Sequence, residues 1–383
     1  MNVKKINPHV LLIVLCSLLH ITCASDEKKK HSDKKPQIKN QQLKNIPPHE
    51  HTLLITKPDS LATPTGMVWV PGAKFAQGAV AQDKMAMDHE KPAIEVMVDG
   101  FFMDATEVTN AQFKTFVEAT GYVTVAERAL DWEELKTQVP VGTPKPHDSI
   151  LKPGALTFKK STSKLSNLYD FSQWWNWTIG ANWKHPNGPG SGIAGKDNFP
   201  VVQVAYEDAL AYCEWAKRRL PTEAEWELAS RAGSFGTTYQ WGDDVTQLKQ
   251  KANTWEGDFP VTNLKTDGFE LRAPVKSYPP NAYGIYDMAG NVWEWTSDWY
   301  NVEYYKEVNS QGVALVNPIG ATGPLTPNNP LAKEKIIKGG SFLCSASYCA
   351  SYRVSARMGS SMDSALEHTG FRTVATVAML QPE

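Results

Sequence analysis

Apolar and polar positions run along this chain in several rhythms, each predicting a different element. Met67-Val68-Trp69-Val70 followed by Pro71-Gly72 reads as a short strand entering a turn. Val108-Thr109-Asn110-Ala111-Gln112-Phe113 has the grammar of a helix start. Thr109 can cap, Gln112 can close a capping box, and Val108 can staple onto Phe113. Phe113, Phe116 and Val117 then give one apolar face. The apolar run 201–205, interrupted by Gln203, predicts a buried strand leading into an amphipathic helix over 206–217, with Cys213 and Trp215 packed in the core. Pro221-Thr222-Glu223-Ala224-Glu225 opens a further helix with a second capping box.

The N-terminal part follows another pattern. Lys4-Lys5 and Pro8-His9 precede an apolar stretch at 10–19, broken only by Cys16 and Ser17, which has the form of an export leader and is too short to span a bilayer comfortably. Residues 24–51 are Lys-rich and polar, as in a solvated tether. Cys23 lies at the junction, where bacterial lipoproteins carry a lipid-modified cysteine, although His20 stands where such leaders usually have Leu. Membrane attachment through a lipid on Cys23 is expected, in the periplasm or on its membrane, with simple secretion as the alternative. The expected division is leader 1–23, linker 24–63 and one domain at 64–383.

Composition narrows the picture. With 39 Lys+Arg against 41 Asp+Glu the net charge is -2, which argues against a strongly basic nucleic-acid binder. Hydrophobic residues make up 42%, enough for a packed core. Trp equals Phe and Tyr at 13 each, and helical signals are few, so one domain with limited regular structure and much aromatic packing is expected. Five cysteines are too few for a disulfide scaffold.

Several phrases then resemble one family. They are Pro200-Val201-Val202-Gln203-Val204, Arg219-Leu220-Pro221-Thr222-Glu223-Ala224-Glu225-Trp226-Glu227, Tyr283-Gly284-Ile285-Tyr286-Asp287-Met288-Ala289-Gly290-Asn291-Val292-Trp293-Glu294-Trp295, Lys338-Gly339-Gly340-Ser341-Phe342 and Gly370-Phe371-Arg372. Together they look like the formylglycine-generating enzyme (sulfatase-modifying factor) family. The resemblance implies an irregular α/β (α+β) fold of low secondary-structure content, related to the C-type lectin fold. Some members of that superfamily are non-catalytic, so a non-catalytic envelope lipoprotein is the alternative.

The discriminating feature is the pair in Cys344-Ser345-Ala346-Ser347-Tyr348-Cys349. At five residues apart, two side chains diverge by about 140° on a helix and face opposite sides on a strand, so they meet only across a turn. Two converging thiolates make a soft, low-coordinate site that favours Cu(I), whereas zinc wants four ligands. On spacing alone a plain disulfide between Cys344 and Cys349 is the simplest explanation in an exported protein. The resemblance implies copper, held by Cys344 and Cys349, and oxidation by O2 of the cysteine in a Cys-x-Pro-x-Arg segment of a sulfatase polypeptide to Cα-formylglycine. It further implies that Ser341 and Trp293 line an oxygen pocket, and that Tyr348, Arg353 and His368 lie at the substrate groove. Ser360-Ser361-Met362-Asp363 and His368-Thr369 depart from the family pattern, as do Val354 and Thr373, which leaves Cys213 a free buried thiol. Two structural Ca²⁺ sites are implied. One comprises Asn253, Thr254, Asp267 and Phe269; the other comprises Asp287, Gly290, Val292 and Glu294. Oxygen-rich loops of this kind suit calcium, although Asp, Asn and Gly fill turns anyway. A monomer is expected. Asn176-Trp177-Thr178 is a glycosylation-type sequon.

Overall fold

The computed structural model describes residues 51–381 except 169 and 328. The leader, Cys16, Cys23 and the tether up to residue 50 lie outside the described residues. No described helix is long and apolar enough to cross a membrane.

The first strands are β1 (Met67–Val70), β2 (Ala73–Gln77), β3 (Ile94–Val98) and β4 (Phe101–Asp104). Helix α1 (Asn110–Thr120), the hairpin pair β5 (Gly154–Phe158) and β6 (Trp175–Ile179), and helices α2 (Tyr206–Trp215) and α3 (Glu223–Arg231) follow. The last part carries β7 (Trp293–Trp299), α4 (Tyr304–Gln311), β8 (Leu315–Val316), β9 (Glu334–Lys338), β10 (Arg357–Ser361), β11 (Thr369–Gly370) and β12 (Val374–Ala375). The sheets are small, in the orders β1-β4-β12, β2-β3-β8, β10-β9-β7-β11 and β5-β6. In the four-stranded sheet β9 runs antiparallel to β7, and β11 runs parallel to it, with Thr369 opposite Trp293.

Local chemistry explains the helix starts. Thr109 N–H donates to Gln112 Oε1 at 2.8 Å and Gln112 N–H returns to Thr109 Oγ1 at 3.4 Å. Thr222 and Glu225 form the same reciprocal pair, and Arg219 grips the Glu225 carboxylate with two contacts of 2.6 and 2.7 Å. Helix α2 starts where expected and ends two residues early, because Lys217 turns to φ 54°.

The run 201–205 is not a strand. It is buried throughout, but Gln203 takes φ 58°, which breaks the extended path. Its backbone groups bond instead to separate partners, Val201 N–H to Val108 O and Gln203 N–H to Leu366 O. Cys213 is a free, buried thiol as expected. Trp215 is 39% exposed, since the last turn of α2 leaves its indole at the rim beside Phe116 and Tyr212. The aromatic excess elsewhere is core: Trp175, Trp183, Trp226 and Trp295 are fully buried.

Before β1, the chain is already docked. Leu54 N–H and His51 Nε2 both reach Asp99 Oδ1 at 2.9 Å, and Gly100 N–H donates to Leu54 O at 2.7 Å. The final part of the segment read as linker therefore packs on the turn between β3 and β4. Leu54, Asp99 and Gly100 line one hollow with Thr376, Val377 and Ala378.

Candidate active site

Strand β9 delivers the chain to Gly339-Gly340, both at positive φ (91° and 75°). A Cβ on Gly340 would come within 2.9 Å of the Ser351 backbone, so only glycine fits there. The chain then folds back on itself. Phe342 N–H donates to Asn291 O at 2.9 Å, and Cys344 O accepts from Trp255 N–H at 3.0 Å. The Ser345 carbonyl gathers three amides, from Tyr348, Cys349 and Ala350, at 3.0 to 3.1 Å. That tight turn, closed by Ala350 at φ 44°, is what brings Cys349 back to Cys344.

Both thiols are free and buried, and they hydrogen-bond to each other. Burial raises the Cys344 thiol well above the ordinary range, and donation to Cys349 and the charge there raise it further. At Cys349 burial also raises, but hydrogen bonds from Cys344, from the Ser351 amide and hydroxyl and from the Ser345 turn outweigh it and lower the value. The first thiolate of the pair thus forms at Cys349.

The pair opens on a cavity of about 30 Å³. Of the expected site residues, Ser341, Trp293, Tyr348 and His368 line it, together with Phe171, Trp174 and Trp175. Ser341 is fully buried and its Oγ accepts from Leu343 N–H at 3.2 Å. Tyr348 stacks on Phe259 (centroids 5.1 Å apart, 7° between planes) and meets the edge of Trp174. The His368 carbonyl accepts from Trp293 N–H at 2.8 Å, and its ring meets Trp175 at 4.9 Å. Burial, with the Arg272 charge, lowers the His368 imidazole to about 3, so it is neutral at neutral pH.

Arg353 is the exception. It is 1% exposed, clamped by Glu90 (2.7 and 2.8 Å) and Asp83 (2.7 Å), and it does not reach the cavity. The expectation of a groove residue is corrected: its Nε donates to Ala350 O at 3.1 Å, so it fastens the end of the cysteine turn from behind.

The expected calcium ligands divide in the same way. Asp267 accepts from Thr254 N–H and Phe269 N–H at 3.0 Å, so those three residues meet, beside Asn253. In the second group Glu294 is turned away. Its carboxylate takes Arg372 at 2.6 and 2.7 Å and Trp226 Nε1 at 2.8 Å, which satisfies both oxygens. Among the buried oxygens without a donor are Asp287 Oδ1 and Glu107 Oε2 here, and Thr254 Oγ1 in the first group. Burial, with the Glu294 charge, pushes Asp287 up to about 6 against a hydrogen bond from the Glu107 carboxyl, and burial with the Asp287 and Glu294 charges raises Glu107 well above its ordinary value. Asn253 Nδ2 and Glu107 Oε1 are both engaged by Asn291, and Gly290 sits against Asn253 O, so the two groups share one wall. Among the described residues no three His, Cys, Asp or Glu side chains converge as a metal cage.

A second concavity, about 380 Å³, lies beyond β5. It is lined by Leu156, Leu210 and Met362, by the acids Asp131, Glu134, Glu207 and Asp363, and by Arg128. Glu207 is held by Arg128 at 2.7 Å, Asp363 accepts from Gln138 and Ser361, and Asp131 caps the Glu133 amide. Ala365 lines this groove and His368, three residues on, lines the thiol cavity.

Sequence reasoning missed Glu107, Phe171, Trp174 and Trp175. The cluster Trp174-Trp175-Asn176-Trp177 was a visible signal, read only for its sequon; Glu107 gave none, lying beside the helix cap it precedes.

The chain matches the sulfatase-modifying factor enzyme 1-like domain over residues 54–377. It is 38% identical over 346 residues to the formylglycine-generating enzyme of Bos taurus, covering 89% of this chain and 84% of that one. To the formylglycine-generating enzyme of Mycobacterium tuberculosis it is 42% identical over 314 residues (81% and 98%). A Mus musculus protein named inactive C-alpha-formylglycine-generating enzyme 2 is 36% identical over 313 residues (81% and 85%). Among solved structures, PvdO from Pseudomonas aeruginosa shares the fold at TM-score 0.54 and 21% identity, over 81% of this chain and 94% of that one.

Proposed function

The chain belongs to the sulfatase-modifying factor enzyme 1-like family, as an oxidoreductase of the formylglycine-generating type, and on that premise we propose that it uses dioxygen to convert the cysteine of a Cys-x-Pro-x-Arg segment in a sulfatase polypeptide to Cα-formylglycine. The observation carrying this reading is the convergence of two free thiols on one small, largely apolar cavity. Two sulfurs with no third ligand among the described residues suit copper(I), which, held by Cys344 and Cys349, would supply the one-electron chemistry with dioxygen that thiols alone lack.

The rest is work for the chain's own side chains. Trp293, Trp175 and Phe171 keep water from the sulfurs. Tyr348, braced on Phe259, forms the rim over which a peptide enters. An extended segment covers ~3.3 Å per residue, so the Arg four residues beyond the target cysteine lies ~13 Å away. That distance suits the acid-lined groove, reached within three residues of His368, and Asp131, Glu134 and Asp363 supply the complementary charge.

Calcium belongs to the same reading. The orphaned oxygens of Glu107 and Asp287 and the Asp267 loop are hard oxygen donors that suit a structural Ca²⁺. Export, with a lipid on Cys23, would place the protein where secreted sulfatase chains arrive unfolded.

A Cys-x-Pro-x-Arg peptide incubated with Cu(I)-loaded protein, dioxygen and reductant tests the reading. An aldehyde product seen by mass spectrometry is expected. Its absence, or its persistence in Cys344→Ser, favours the non-catalytic alternative, for which the inactive mouse relative is a precedent by name.

A further inference from the structure

The cavity beside the sulfurs holds a polar side chain whose place no described residue explains. Among the described residues, neither buried ring nitrogen of His368 has a hydrogen-bond partner. The residue is 7% exposed, and its ring lines the cavity among Phe171, Trp175, Trp293, Leu343 and Met358. A buried imidazole without a partner is costly, and an apolar side chain of that shape would pack there at no such cost. The ring is also held in place, by the Trp293 amide on its own carbonyl and by the Trp175 ring against its edge. An oriented, unsatisfied donor in a largely apolar chamber is built for something that arrives from outside.

Size decides what arrives. About 30 Å³ holds one or two water-sized centres and no peptide group with its flanking chain. We propose that His368 is the hydrogen-bond partner of the dioxygen that occupies this cavity during turnover. It acts through a neutral imidazole N–H, which favours oxygen as it gains negative charge. The proposal rests on the oxidase reading above and adds a residue to it. His368 is then a catalytic residue that touches the co-substrate, rather than a contact for the peptide or a ligand for the metal.

Three measurements on His368→Leu and His368→Gln test this, with the wild type alongside. Steady-state turnover at varied dioxygen should show kcat/KM for dioxygen lower on the order of tenfold to hundredfold in His368→Leu. Part of it should return in His368→Gln, which keeps an N–H. The affinity of copper-free protein for a Ser-x-Pro-x-Arg peptide, read by fluorescence anisotropy, should change less than about twofold, as should Cu(I) affinity in competition with bathocuproine disulfonate. Unchanged kcat/KM for dioxygen overturns the proposal. A tenfold loss of peptide affinity overturns it in favour of a peptide contact, and a tenfold loss of Cu(I) affinity in favour of a ligand. A wild type that makes no aldehyde removes the oxidase reading itself, an outcome visible before any variant is compared. Should His368→Leu fail to fold, His368→Phe, a ring without an N–H, takes its place, with the same loss of kcat/KM for dioxygen expected and an unchanged value overturning the proposal.

Discussion

Arg353 and Glu90 form a two-pronged ion pair, 2.7 and 2.8 Å, in which both side chains are 1% exposed. The remaining Nε–H reaches the Ala350 carbonyl, one residue past Cys349. The cysteine turn is therefore braced from the side opposite its cavity.

Removing Glu90 takes two of the three carboxylate contacts from the buried Arg353 and leaves it Asp83 alone. Glu90→Ala should destabilise the protein by about 3–5 kcal/mol in denaturant unfolding. Arg353→Lys keeps the charge and loses the fork, so it should cost less. If Arg353 contacted substrate, the Lys variant would raise KM for the peptide; the brace instead expects KM to hold while kcat falls.

The acid-lined groove makes a claim about charge that can be checked from both sides. Asp131→Asn with Glu134→Gln should raise KM for a Cys-x-Pro-x-Arg peptide by roughly tenfold, with kcat little changed. Replacing the peptide's Arg by Ala should raise KM similarly in wild type and hardly at all in the double variant. Independent effects that simply multiply would dissociate the groove from that arginine.

For calcium the expected signature is thermal. Added Ca²⁺ should raise the Tm of wild type and leave that of Glu107→Gln with Asp287→Asn unchanged. In chelator the double variant should melt no lower than wild type, because it neutralises two adjoining buried carboxyls, each with one oxygen short of a donor. Equal responses to Ca²⁺ in both proteins would take the ion away from this pair.

His89 gives a pH dependence with a definite sign. Burial, with the Arg357 charge, lowers its imidazole from 6.5 to about 4. Below pH 6.5 the unfolded chain takes up a proton that the folded one refuses, so its share of stability is full above 6.5 and is lost as pH falls to about 4. Asp298 and Glu334, raised by burial to about 7, act in the opposite direction, so the comparison must be between variants. Any stability advantage of wild type over His89→Gln should shrink across that window in denaturant melts at stepped pH; a constant difference would contradict it.

Much of this was readable in advance where the cause is local. Thr109 with Gln112 and Thr222 with Glu225 cap as their spacing requires, because a capping box needs only its own four residues. The turn that closes Cys344 onto Cys349 followed from the failure of helix and strand to join them. What escaped was settled by distant partners. Arg353 is fixed by Glu90, Glu294 by Arg372 and Trp226, and Glu107 by Asn291, all far away in sequence. The run at 201–205 has a strand's hydrophobicity, but its neighbours offer single hydrogen bonds rather than a ladder.

The hollow shared by Leu54, Asp99 and Thr376 means that the two ends of the folded unit meet. A short loop could join them, and new ends could be opened at Val141, which is wholly exposed. Such a circularly permuted chain should keep the cysteine turn intact. It would allow the domain to be mounted on a surface or fused to a carrier from a point of the experimenter's choosing.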